Sequence, residues 1–146
     1  MWSVFYYQLL RRCEARKIAF HSYRETFIMH IQIKRIYDEQ QPEDGTRILV
    51  DRLWPRGISK EKANIHYWAK ALALSNALRK WYQHDPDKWD EFKHRYNEEL
   101  NANPDALVAF KAECVGETIT FLYSSTEREL NNAVALKAYV EIYITQ

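Results

Sequence analysis

Apolar and polar residues alternate from Ile31 to Arg35, with Ile31 and Ile33 on one side and Gln32 and Lys34 on the other, which is the period of a half-buried strand. The polar stretch Asp38 to Gly45 carries Pro42 and Gly45, turn residues that stop this strand. A second strand, Thr46 to Val50, is more continuously apolar, as expected of a central position. After Gly57 the period becomes helical. Ser59 is expected to cap a helix with Ile65, Trp68 and Leu72 at i, i+3 and i+7, and Ser75 a short one through Leu78 and Trp81. Asp85-Pro86 is the clearest helix start, an N-cap followed by proline where a missing N–H costs nothing. The helix it opens presents Trp89, Phe92, Tyr96 and Leu100 to a core. Asn103-Pro104-Asp105 repeats that signal for a helix carrying Leu107 and Phe110, which Gly116 ends. Thr118 to Leu122 reads as another buried strand. Thr126-x-x-Glu129 has the pattern of a capping box and predicts a last helix with Ala133, Leu136, Val140 and Tyr143 on one face.

Two strands, several helices, a strand and a helix define an α/β domain: a small single-domain sheet with at least one parallel strand pair, flanked by helices. Pairing Thr46–Val50 with Thr118–Leu122 through a right-handed helical crossover brings both strand ends to one edge of the sheet, where ligands collect in such folds. The domain is expected to span residues 29–146. Residues 1–28 read as an N-terminal extension outside it, with Met29 as the natural start and an accessory amphipathic helix as the competing view. In this extension the aromatic run of Trp2, Phe5, Tyr6 and Tyr7 precedes Arg11 and Arg12, the reverse of a secretory leader, and it is too short to span a bilayer.

Composition narrows the classes. A chain of 146 residues with a net charge of +1 has no global basic footprint, so nucleic-acid affinity would need a local patch. Cys13 and Cys114 lie far apart and outside any metal-ligand spacing, so no metal site is expected and the thiols fit a cytoplasmic setting. With only Gly45, Gly57 and Gly116 available, no glycine-rich phosphate cradle or dinucleotide fingerprint can form, and no cofactor is expected. Membrane partners are not expected either, and the oligomeric state is not readable.

The richest chemistry lies in Val50-Asp51-Arg52-Leu53-Trp54-Pro55-Arg56-Gly57 at the end of the second strand. Arg52 and Arg56 offer guanidinium forks for an oxyanion, and Trp54 a flat face for stacking. Across the parallel pair, Ser124 and Ser125 are expected at the N-terminus of the last helix, a second half-site for phosphate or carboxylate. The alternative is scaffolding: an Asp51–arginine ion pair and a tryptophan that plugs the core. His84, just before Asp85-Pro86, is the one histidine in a motif-like setting and a candidate acid or base, with a plain turn role as its alternative.

Three blocks, DRLWPRGISKEKANI, LRKWYQHDPDKWDEFKHRY and ITFLYSSTERELNNAVALKAYV, resemble in order the YeaO-like family of small bacterial proteins of unknown function, from about Ile31 to Val140. The resemblance implies a compact α/β fold and shared signature positions: Asp51, Arg52, Trp54, Pro55, Arg56, Gly57, Trp81, His84, Trp89, Arg95, Tyr96 and Asn131. It supplies no activity. This chain has Leu130 where relatives commonly carry a histidine, and Tyr123 where more distant ones carry a cysteine, so thiol chemistry is not expected and a binding role gains.

The resulting expectation is a domain that binds a small anionic or phosphorylated ligand at the C-terminal edge of its sheet through Arg52, Trp54, Arg56, Gly57, Ser124, Ser125 and Asn131. His84 would be the catalytic group if there is a reaction. A nucleic-acid or protein interaction module using the Arg/Trp loop and a purely structural subunit are the alternatives.

Overall fold

A computed structural model describes residues 29–144; the expected extension over residues 1–28 lies outside the described residues. Four parallel strands, β1 (His30–Arg35), β2 (Thr46–Leu49), β3 (Tyr67–Trp68) and β4 (Thr118–Tyr123), form one sheet in the order β1-β4-β2-β3. The expected parallel pair is present, with Ile48 opposite Phe121 and Leu49 opposite Leu122. On its other side β4 pairs with β1, Ile31 opposite Ile119. Helices α1 (Lys60–Ala63), α2 (Asn76–Tyr82), α3 (Trp89–Asn101), α4 (Pro104–Glu113) and α5 (Asn132–Tyr143) surround the sheet, making this a small α/β fold.

Alternation along β4 divides the interior in two. Ile119, Phe121 and Tyr123 face the main core with Ile31, Ile48, Phe92, Tyr96, Phe110 and Leu136, whereas Leu122 faces a second cluster with Ile36, Leu49 and Ala63, flanked by Trp54 and Trp68. A strand apolar on both faces is what a covered parallel sheet demands. Gly45 turns the chain into β2 at φ +62, where a side-chain Cβ would sit 2.2 Å from the carbonyl oxygen of Thr118, so only glycine fits.

Two sequence expectations are corrected. The helix predicted from Ser59 to Leu72 is a single turn, α1. Ser59 Oγ accepts from the N–H of Lys62 as expected, but Asn64, at φ 43, ends the turn and Tyr67–Trp68 pair with Ile48–Leu49 as β3. The i, i+3, i+7 spacing arose by coincidence: Ile65 and Trp68 pack on the second cluster and Leu72 belongs to the main one. The last helix opens not at Thr126 but at Asn132, with Asn131 as N-cap, its Oδ1 accepting from the N–H of Val134. Residues 124–131 form an irregular loop whose N–H groups are taken by side chains: Ser125 Oγ accepts from Glu127, and Glu127 Oε1 from Glu129 and Leu130. The helix-terminus half-site proposed for Ser124 and Ser125 is therefore absent. Other starts hold: Ser75 Oγ accepts from Leu78 N–H, and Asp85 caps a short 3-10 turn, Pro86–Lys88, that leads into α3.

Candidate functional site

Because β1, β2 and β4 run parallel, the segments that follow them emerge on one edge, and between them and α2 opens a cleft of about 1010 Å³. The strand side contributes Tyr37, the run from Asp51 to Arg56, and Ser124 to Thr126. The helix side contributes Asn76, Arg79, Lys80, Gln83 and His84, and buried Leu74, Tyr82 and Phe92 lie at its base.

Asp51 anchors this edge. Its Oδ2 accepts from the backbone N–H of Ser124 at 2.8 Å and the Ser124 hydroxyl at 2.6 Å, and its Oδ1 from Asn132 Nδ2 at 3.0 Å. Trp68 Nε1 donates to its carbonyl. One carboxylate thus ties the end of β2 to the end of β4 and the start of α5, and the anticipated Asp51–arginine ion pair does not form. Arg35 braces the same corner, its Nε donating to the carbonyls of Ser124 and Ser125 at 3.2 and 3.0 Å while its guanidinium lies over the Tyr37 ring. The Tyr37 hydroxyl donates to the Arg56 carbonyl at 2.7 Å, fixing the arginine loop from below. Trp54 serves two surfaces: it lines the cleft, yet its Nε1 donates to the Ile58 carbonyl and its ring meets Trp68 edge-on at 5.5 Å.

The charge balance of the wall is lopsided. Arg35, Arg52, Arg56, Arg79 and Lys80 face Asp51 alone, and Asp51 already accepts three hydrogen bonds. Among the described residues no carboxylate pairs with Arg52, Arg56, Arg79 or Lys80, all exposed. Closely spaced like charges left without counter-charges raise the local potential and draw anions.

His84 stands at the end of α2, where the chain leaves the helix through two successive left-handed residues, Gln83 at φ 47 and His84 at φ 55. Such values are uncommon outside glycine, and surrounding bonds hold them in place. Tyr82 Oη donates to the Leu130 carbonyl at 2.8 Å, and His84 Nδ1 lies 3.4 Å from the same oxygen. A carbonyl only accepts, so the neutral imidazole carries its proton on Nδ1 and leaves Nε2, 3.3 Å from Ser125 Oγ, to accept from that hydroxyl. Nearby, the N–H groups of Glu129 and Leu130 hold the Glu127 carboxyl below its ordinary 4.5, against a smaller opposing effect of burial.

The structure therefore gathers Arg52, Trp54, Arg56, Ser124, Ser125 and His84 around one space. It leaves out two other anticipated residues. Gly57 sits beyond the wall in a turn at φ 76, with open space where a side-chain Cβ would stand, and Asn131 is wholly buried, Nδ2 donating to the Glu127 carbonyl while Oδ1 caps α5. Its neighbour Asn132 reaches the cleft instead. On the helix wall, sequence reasoning offers Arg79 and Lys80 only as phosphate contacts of the nucleic-acid alternative and misses Asn76 and Gln83. Asn76, Arg79 and Lys80 recur at i, i+3 and i+4 along α2, with Gln83 at its C-cap, and that polar spacing was the available signal. Among the described residues no group of three or more His, Cys, Asp or Glu side chains is arranged to hold a metal ion, and no helix is long and apolar enough to cross a membrane.

These features define a small parallel α/β domain with a cation-walled cleft at the C-terminal edge of its sheet. Residues 30–146 match the inactive DUF488-N3 subclade, so the chain belongs to the YeaO-like family of domains of unknown function. It is 36% identical over 115 residues, 79% of this chain and 93% of the relative, to the uncharacterized protein Rv3073c of Mycobacterium tuberculosis (strain H37Rv). It is likewise 36% identical over 108 residues, 74% of this chain and 94% of the relative, to the uncharacterized protein YeaO of Escherichia coli (strain K12). No solved structure matches the chain.

Proposed function

We propose that this chain, through a single domain over residues 29–146, binds a small anionic or phosphorylated ligand in the cleft at its sheet edge, with Arg52 and Arg56 as the clamp and Trp54 as an apolar wall. The observation that carries this reading is the surplus of cations around a carboxylate whose acceptor oxygens are already engaged. A structural arginine is paired with carboxylate or carbonyl oxygens, whereas Arg52 and Arg56 extend from a loop held at its backbone by Tyr37, their guanidinium groups directed to solvent or ligand. Ser125 and His84 add a hydroxyl and an imidazole, bonded to each other, to the same wall. Binding without turnover accords with the inactive designation of the subclade. A cytoplasmic setting accords with the unpaired thiol of Cys114.

Isothermal titration with inorganic pyrophosphate tests the reading. Wild-type protein is expected to bind it, and the exposed double substitution Arg52→Ala/Arg56→Ala to weaken binding by about tenfold or more, consistent with the loss of charge-assisted hydrogen bonds, while the circular dichroism spectrum is unchanged. Equal binding by both proteins would remove the clamp. Salt separates this from the nucleic-acid alternative: a polyanion releases counterions and its affinity falls steeply between 50 and 200 mM salt on the order of 10³-fold or more, whereas a single clamped anion responds weakly.

A further inference from the structure

A cleft of about 1010 Å³ is far larger than a phosphate needs, and its lining is of more than one kind. It lies at the top of the range of pockets that enclose whole organic ligands. A bare anion held by Arg52 and Arg56 would leave the remainder to water, including the apolar surface of Leu53, Trp54 and Leu74. Leu53, 61% exposed, adds apolar surface beside Trp54 on the same lining. Against this apolar surface stand the amides of Asn76, at the start of α2, and Gln83, just past its end, both exposed and neither engaged by another described side chain.

Cations, an indole and primary amides within one cleft match three parts of one molecule: an anionic group, a flat ring and hydrogen-bonding ring edges. We infer that the ligand is a free mononucleotide, its phosphate on Arg52 and Arg56, its base against Trp54, and its base edge toward Asn76 and Gln83. This rests on the anion-binding reading above and deepens it by naming the ligand class. A free nucleotide is favoured over a nucleic-acid strand because the chain's net charge is only +1, with 21 Lys and Arg offset by 20 Asp and Glu, leaving little surplus charge to track a polyanion beyond the cleft.

The test compares ligands on the unaltered full chain by isothermal titration and by tryptophan fluorescence, so it needs no variant that might fail to fold. The probes are adenosine, guanosine, cytidine and uridine 5′-monophosphates, ribose 5-phosphate, inorganic pyrophosphate and a twelve-residue oligothymidylate. At least one monophosphate is expected to bind about tenfold or more tightly than ribose 5-phosphate, the scale of a base stacked on an aromatic side chain, with a change in tryptophan emission. Trp54→Phe, which keeps a ring in the second cluster, should shrink that advantage, and Asn76→Ala, on the exposed face of α2, should change the order of preference among the four bases. Pyrophosphate and ribose 5-phosphate binding as well as every nucleotide would overturn the nucleotide assignment while leaving anion binding intact. Oligothymidylate outcompeting every monophosphate with a steep salt dependence would overturn it in favour of a strand. Failure of all phosphorylated probes would overturn both readings.

Discussion

Strand β2 carries an arginine near each end, and the two are used in opposite ways. At the start, Arg47 is 2% exposed and fully engaged: Nη1 pairs with Asp44 at 2.5 Å, Nη2 and Nε donate to the carbonyls of Ala63 and Asn64, and Lys34 joins the same carboxylate at 2.7 Å. The Asp44 carbonyl in turn accepts from Thr120 of β4. Just past the other end, Arg52 is exposed, and no described carboxylate neutralises it; the nearby Asp51 serves Ser124 and Asn132 instead. One end of the strand spends its charges on holding loops to the sheet, and the other presents them to a cleft. The difference teaches that an Asp/Arg pairing in the sequence says nothing about use until the partners are known.

The comparison breaks most severely at Arg47. Arg47→Ala leaves Asp44 with Lys34 as its one remaining cation and the Ala63 and Asn64 carbonyls without their donor, and is expected to lower stability by about 3 kcal/mol, measured by urea denaturation. The same cluster sets a pH dependence. Burial raises the Asp44 pKa, but hydrogen bonds from Lys34, the Gln41 N–H and Arg47 outweigh it and hold the carboxyl below its ordinary 3.8. A depressed folded-state pKa means the stabilisation is complete above 3.8 and fades as pH falls through the lower folded value. Denaturation midpoints taken from pH 5 downward should therefore drop in the wild type, and drop less in Asp44→Asn, whose stability is lower throughout.

Asp51→Ala comes next, at about 2–3 kcal/mol, because two N–H donors and a hydroxyl lose their shared acceptor. It should also loosen residues 124–131, seen as faster amide hydrogen exchange there than in β1. Asn131→Ala, which removes a helix cap, is expected to cost about 1 kcal/mol and to leave pyrophosphate affinity unaltered. A loss of affinity without loss of stability would return Asn131 to the binding surface. At the mild extreme, Arg52→Ala and Arg56→Ala should each change the thermal midpoint by the equivalent of about 0.5 kcal/mol or less, as exposed substitutions do, in contrast to their effect on anion affinity.

How far the sequence carried the reader follows the same division. Elements announced by local chemistry were legible: Ser75, Asp85-Pro86 and Asn103-Pro104 mark helix starts through groups adjacent to the N–H groups they satisfy or replace, and the continuous apolar runs of β2 and β4 announced a covered parallel pair. Position was less legible where two segments shared a chemistry. Thr126-x-x-Glu129 and Asn131 both offer oxygen acceptors to free N–H groups, and only packing of Ala133, Leu136 and Val140 on the core selects Asn131 as the cap. The two-residue β3 had no pattern of its own; its pairing depends on β2. In the candidate site, Arg52, Trp54 and Arg56 were visible because they follow a strand, whereas the role of Asp51 was not, since Ser124 and Asn132 lie more than seventy residues away.

The strand order has a consequence for how the molecule is made. β4, flanked by β1 and β2, is the last of the four to be synthesised, and neither neighbour pairs with the other. A ribosome that has extruded everything through Gly116 has produced β1 and the short β2–β3 pair without the strand that joins them, and that keystone arrives only with Thr118–Tyr123. Closure of this sheet is thereby deferred until β4 is made, and any nascent chain halted earlier exposes open strand edges to its surroundings.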